Sequence, residues 1–99
     1  MVVDSEGNEL RIGDRVITVG KHGFEDNENT IGVPGTIRSI SNDCWVGVEF
    51  DEYIDGHSLA GLAKDGYGYG GYSSQLRLWR ENQDVEIVIT IDDIFGLIQ

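Results

Sequence analysis

The chain has 99 residues and sets 18 acidic side chains against seven basic ones, a formal net charge of −11. A surface of that sign repels nucleic-acid phosphates and anionic lipid headgroups, which disfavours direct nucleic-acid binding and membrane attachment. Two Trp, four Tyr and three Phe within a 39% hydrophobic composition supply one modest core, so a single folded domain is expected rather than disorder.

Cys44 is the only cysteine, which excludes an internal disulfide and a cysteine-based zinc cluster. Met1-Val2-Val3 runs directly into Asp4-Ser5-Glu6, and no apolar run approaches the roughly 18 residues of a membrane span. A soluble cytoplasmic protein is therefore expected. The acids are spread along the chain and not gathered in a tail, so the folded body itself must be acidic.

In chain order, Asp4 to Glu9 is a turn cluster between Val2-Val3 and Leu10-Arg11-Ile12, which predicts a small N-terminal hairpin. Arg15 to Val19 is β-branched and stops at Gly20, a first strand. Lys21 to Val33 shows little periodicity and predicts a long exposed loop. Thr36 to Ile40 predicts a second strand, with Ile37 and Ser39 on one face and Thr36, Arg38 and Ile40 on the other. Cys44 to Phe50 is the strongest strand, and its alternation assigns Val46, Val48 and Phe50 to the core. Asp51 to Asp65 is a second long loop, followed by short strands at Tyr67–Tyr72 and Gln75–Trp79. Residues 1–80 are thus expected to form an all-β domain, a small five-stranded antiparallel barrel or sandwich. Residues 81–99 add a C-terminal strand, Val85–Ile91, and a short terminal segment, packed on the barrel or on a second copy as a homodimer.

The succession Gly13-Asp14-Arg15-Val16, Gly35-Thr36-Ile37-Arg38, Trp45 to Glu52 and Leu76-Arg77-Leu78 resembles an SH3-like barrel. The stretch Trp45 to Glu52 is similar to the hallmark of CAP-Gly domains, which bind acidic C-terminal tails. That family's Gly-Lys-Asn-Asp-Gly box is replaced here by Asp55-Gly56-His57-Ser58-Leu59-Ala60-Gly61, so its function is not implied. Val48 to Asp51, Gly56-His57, Gly66 to Tyr69 and the closing Leu76-Arg77-Leu78 resemble small bacteriophage-encoded barrels of unassigned function.

Gly66-Tyr67-Gly68-Tyr69-Gly70-Gly71 matches G-x-G-x-x-G formally, but no βαβ unit surrounds it, so no dinucleotide cofactor is expected. As a strand it places glycines on one face and Tyr67 and Tyr69 on the other, a strip on which a loop or the C-terminal strand packs. Tyr67, Tyr69, Tyr72 and His57 are candidates for a ligand or interface surface. Asp51, Asp55 and His57 lack metal-ligand spacing, and no metal is expected. Cys44 and His57 lack a third orienting group, so no catalytic residue is assigned.

Two acidic loops remain: Glu25, Asp26 and Glu28 in the first, and Glu49, Asp51, Glu52 and Asp55 in the second. The expectation is a non-enzymatic binding protein, a phage-type inhibitor. These loops would occupy the basic nucleic-acid groove of a host protein, a defence enzyme among the candidates. The alternatives are a KOW-like nucleic-acid or ribosome-binding barrel, built on Arg11, Arg15, Arg38, Arg77 and Arg80, and a nucleotide sponge using Tyr67, Tyr69 and His57.

Overall fold

The computed structural model describes residues 1–80, which are all β, with five strands in one antiparallel sheet. The strands are β1 (Arg15–Thr18), β2 (Gly35–Ile40), β3 (Trp45–Phe50), β4 (Gly68–Tyr72) and β5 (Leu76–Leu78). Their order across the sheet is β4-β3-β2-β1-β5. β1 to β4 meander, and a 3₁₀ turn at Ser73–Gln75 carries the chain to β5, which pairs with β1 through Val16 opposite Leu78 and Thr18 opposite Leu76. Among the described residues no ladder joins β4 to β5, so the expected barrel is met as a five-stranded antiparallel sheet. The expected strand Val85–Ile91 and the terminal segment lie outside the described residues.

The alternation in β3 has the anticipated outcome: Val46, Val48 and Phe50 are buried to within 1%. They meet Ile37, Val16, Leu10 and Leu76 in one core. β2 departs from the expected pattern. A bulge between Ile37 and Ser39 sets Ile37 opposite Val48 but Ser39 opposite Gly47, so the two residues lie on opposite faces. The extra residue, Arg38, breaks the period of two that the expectation assumed, and its exposed guanidinium bonds Glu49 across the sheet.

The loop Lys21 to Val33 is not simply exposed. Phe24 and Thr30 are completely buried, and Glu28–Thr30 forms a short 3₁₀ turn started by Asn27, whose side chain accepts the Asn29 N–H. Ile54, inside the second long loop, is equally buried. Both loops therefore contribute anchors to the core, which removes the freedom that their polar composition suggests.

The N-terminal turn is organised by a carboxylate. Asp4, only 4% exposed, accepts backbone N–H bonds from Glu6 (2.9 Å), Asn8 (2.8 Å) and Leu78 (2.9 Å), and one from Asn8 Nδ2 (3.3 Å). Burial by itself pushes this carboxyl up, but the converging N–H donors outweigh it and hold the group below the usual aspartate range. The N-terminal turn is thereby fastened to β5.

Replacing Asp4 with Asn presents an amide NH₂ to donors and should cost about 2–3 kcal/mol near neutral pH, read from urea unfolding. Because the folded-state value lies below the unfolded one, Asp4 stabilises fully above about pH 4 and loses that contribution as pH falls through the folded-state value. The gap between wild type and Asp4→Asn should therefore shrink in acid. A gap independent of pH would contradict this account.

Candidate interaction site

Phe24 fixes the first acidic loop. Its ring packs against Phe50 and Tyr69 at centroid distances of 6.0 and 6.4 Å. Its N–H donates to Thr30 Oγ1 (2.7 Å), and that hydroxyl donates to Asn27 O (2.7 Å). The ring fits because β4 has Gly71 beneath it: a methyl group there would sit 2.7 Å from Phe24 Cζ. Between Phe24 and Asn27 the chain reverses through Glu25 (φ 49°) and Asp26 (φ 62°), closed by the Asn27 N–H on Phe24 O at 2.9 Å. Two consecutive positive φ values are the type I′ pattern that Asn-Gly ordinarily fills. Here two acidic residues hold it. The Glu25 N–H donates to Gln75 Oε1 (2.7 Å), and Gln75 Nε2 donates to the Glu25 carboxylate.

The second acidic loop is tied to the first at one atom. The carbonyl of Ile54 accepts from both Asn27 Nδ2 (3.0 Å) and Asn29 Nδ2 (3.2 Å). The Ile54 and Gly56 N–H groups in turn both donate to Gly66 O at 3.0 Å. Asp55, between them, holds φ 59°. The loops named separately from the sequence are thus one rigid ridge, and three of its acids sit in the left-handed region.

The acids of this ridge divide into two groups. Glu49 accepts the Lys64 N–H (2.8 Å) and pairs with Arg38 (2.8 Å), and these two contacts hold its carboxyl below its ordinary value against partial burial. Asp51 takes both arms of the Arg15 guanidinium, at 2.8 and 2.5 Å, and is lowered by that bond first, with burial opposing. Arg15 also lies 5.1 Å from the centroid of Trp79. Glu49, Asp51 and the Gln75-bonded Glu25 therefore stabilise the fold. Asp26, Glu28 and Glu52 are exposed and, among the described residues, make no ion pair or side-chain hydrogen bond, while Asp55 accepts from the Tyr53 hydroxyl at 3.2 Å.

The aromatic candidates do not form one surface. His57 stacks on Tyr69 at 5.8 Å, Tyr72 meets Trp45 edge-on at 5.0 Å, and Tyr67 meets Tyr53 edge-on at 6.0 Å. Sequence reasoning passed over Tyr53 and Trp45, because nothing local marks either as a partner of a distant ring. The glycine strip is covered as a strip of bare backbone should be: Leu59 and Ala63 lie over Gly68, Trp45 over Gly70 and Tyr53 over Gly66. Beside Gly70 a groove of about 390 Å³ runs between Trp45 and Leu59, with His57 at its margin. The Leu59 N–H donates to His57 Nδ1 (3.1 Å), so the neutral ring carries its proton on Nε2. Cys44 is exposed, and Asn42 Oδ1 accepts from its N–H and thiol.

Arg11, Arg15 and Arg38 all have carboxylate partners, in Glu9, Asp51 and Glu49. Among the described residues no cluster of three or more His, Cys, Asp or Glu is placed to hold a metal ion, and no helix is long and apolar enough to cross a membrane. No protein-family model matches the chain, and no curated protein is significantly similar to it.

The left-handed backbone at Asp26 costs about 1–2 kcal/mol relative to a residue without Cβ, partly offset by the greater entropy that glycine loses on folding. Asp26→Gly should therefore raise stability by about 0.5–1 kcal/mol, seen as a higher denaturant midpoint with unchanged m-value. A lower midpoint would show that the Asp26 side chain stabilises the turn.

Proposed function

We propose that this chain is an SH3-like barrel acting as a non-enzymatic binding protein. Its acidic ridge docks on a basic, nucleic-acid-binding surface of another protein and blocks it. The sheet order β4-β3-β2-β1-β5, with β5 returning beside β1, supports the barrel reading. The observation that carries the function is the double bond from Asn27 and Asn29 to the Ile54 carbonyl, which joins two acidic loops into one ridge. Asp26, Glu28, Glu52 and Asp55 are held on that ridge without basic partners among the described residues. A rigid array of uncompensated carboxylates steers toward a positive groove and loses little conformational entropy on docking. The KOW-like alternative is less well supported, because three of its five arginines already serve intramolecular carboxylates.

The test is capture from cell lysate with wild type, the fourfold variant Asp26→Asn, Glu28→Gln, Glu52→Gln and Asp55→Asn, and Asp51→Asn alone. Each is washed at about 0.1 M and about 1 M salt, between which the screening length falls from about 10 to about 3 Å. Wild type should retain a partner with a nucleic-acid-binding groove only at low salt, and the fourfold variant should lose it. Asp51→Asn should keep the partner while unfolding more easily, by about 0.5–1 kcal/mol. A partner held equally by the fourfold variant, or undisturbed at high salt, would overturn the proposal.

A further inference from the structure

Beside the acidic ridge stand two tyrosine rings whose surroundings single out one kind of ligand. Tyr53 is 63% exposed although it lies against Gly66, where a side chain on that glycine would collide with the ring. Its ring stands at 83° to that of Tyr67, with centroids 6.0 Å apart. The ammonium of Lys64 already sits over the Tyr67 ring, 4.7 Å from its centroid. One ring of the pair, Tyr67, thus already faces a cation of the chain itself. Among the described residues no cation lies over the Tyr53 ring, and its hydroxyl donates to Asp55 Oδ1 at 3.2 Å. Asp55 first, and Asp65 to a smaller extent, hold the Tyr53 hydroxyl above its usual value, so the ring lies in a negative field.

We propose that Tyr53 is a docking platform for an arginine side chain of the partner, with the Asp55 carboxylate flanking the guanidinium and Lys64 holding the neighbouring Tyr67 face until displaced. This rests on the reading of the acidic ridge as a surface for a basic partner and names the side chain that it recognises. Arginine is favoured over lysine by the exposure of the ring. A planar, weakly hydrated guanidinium stacks on an aromatic face that water still reaches, whereas an ammonium must shed a tighter hydration shell. The Asp55 carboxylate adds to the negative face of the ring, the backbone hydrogen bonds of Ile54 and Gly56 to Gly66 fix the adjoining chain, and the ring itself rests against Gly66 and Tyr67. Tyr and Arg are also among the residues that most often anchor protein recognition.

The test titrates the full chain at low salt with two synthetic peptides of equal length and charge, one with arginine and one with lysine as its basic residue, followed by calorimetry and by the ring-proton NMR signals of Tyr53. The arginine peptide should bind about two- to fivefold more tightly, the worth of an exposed cation–π contact, and shift the Tyr53 signals. Tyr53→Leu should abolish that preference while leaving lysine-peptide binding unchanged. Tyr53→Phe, which keeps the ring, should retain it, and this control separates stacking from the hydroxyl contact. Lys64→Ala should strengthen arginine-peptide binding by more than its single removed charge strengthens lysine-peptide binding. Equal binding of both peptides, steeply salt dependent and without a Tyr53 shift, would overturn the platform while leaving the acidic-ridge reading standing. No binding of either peptide would overturn both.

Discussion

The burial of Phe24 is the constraint on which the rest of the architecture turns. The loop Lys21 to Val33, rich in acids and amides, has no periodicity to hold it, yet it enters the core through Phe24, with Thr30 and Val33 buried behind it. The space exists because Gly71 has no side chain, so a glycine on β4 sets the path of a loop far away in sequence. Once Phe24 is seated, Thr30 bonds beneath it, and Asn27 and Asn29 come within reach of Ile54. The positions of Glu25, Asp26 and Glu28, and their join to the loop that carries Asp55, follow from that packing event.

The negative charge is not uniform in kind. Asp4 is buried and satisfied by backbone donors, acting as a local clasp with an ionised carboxylate. Glu49 has its guanidinium partner on the neighbouring strand β2, and Asp51, just past the end of β3, has its partner on β1, so both brace the sheet. The remaining ridge acids are solvated and repel one another, which destabilises the compact state and is tolerated because the loops are pinned by apolar anchors. Three acids are also held at positive φ, where glycine would be easier to accommodate. Backbone strain and uncompensated charge meet at Asp26 and Asp55, the combination expected where a surface is shaped for something other than stability.

Much of the sheet was legible because its strands obey a period of two. Val46, Val48 and Phe50 identified themselves by alternation alone, and turn residues separated the strands at the right places. The face of Ser39 was not legible, since a bulge inserts a residue without any compositional sign. Nor was the role of Phe24: one aromatic in a polar loop is equally compatible with exposure until the glycine opposite it is placed. The acidic loops could be seen as acidic, but their division into bracing and uncompensated groups depends on Arg15 and Arg38 reaching across strands, a property of register. Tyr53 escaped notice because its partners, Gly66 and Tyr67, lie at the far end of an irregular loop.

The clasp between Asp4 and Leu78 joins residues 74 positions apart. During synthesis the first 70 residues therefore leave the ribosome with β1 lacking its β5 neighbour and the N-terminal turn lacking its last donor. Non-local pairing of this kind slows folding, since loop closure must precede the contacts that reward it. Closure of the sheet is consequently a late event, completed only when the final described strand emerges, and a chain interrupted before Leu78 exposes the very core edge that the finished protein conceals.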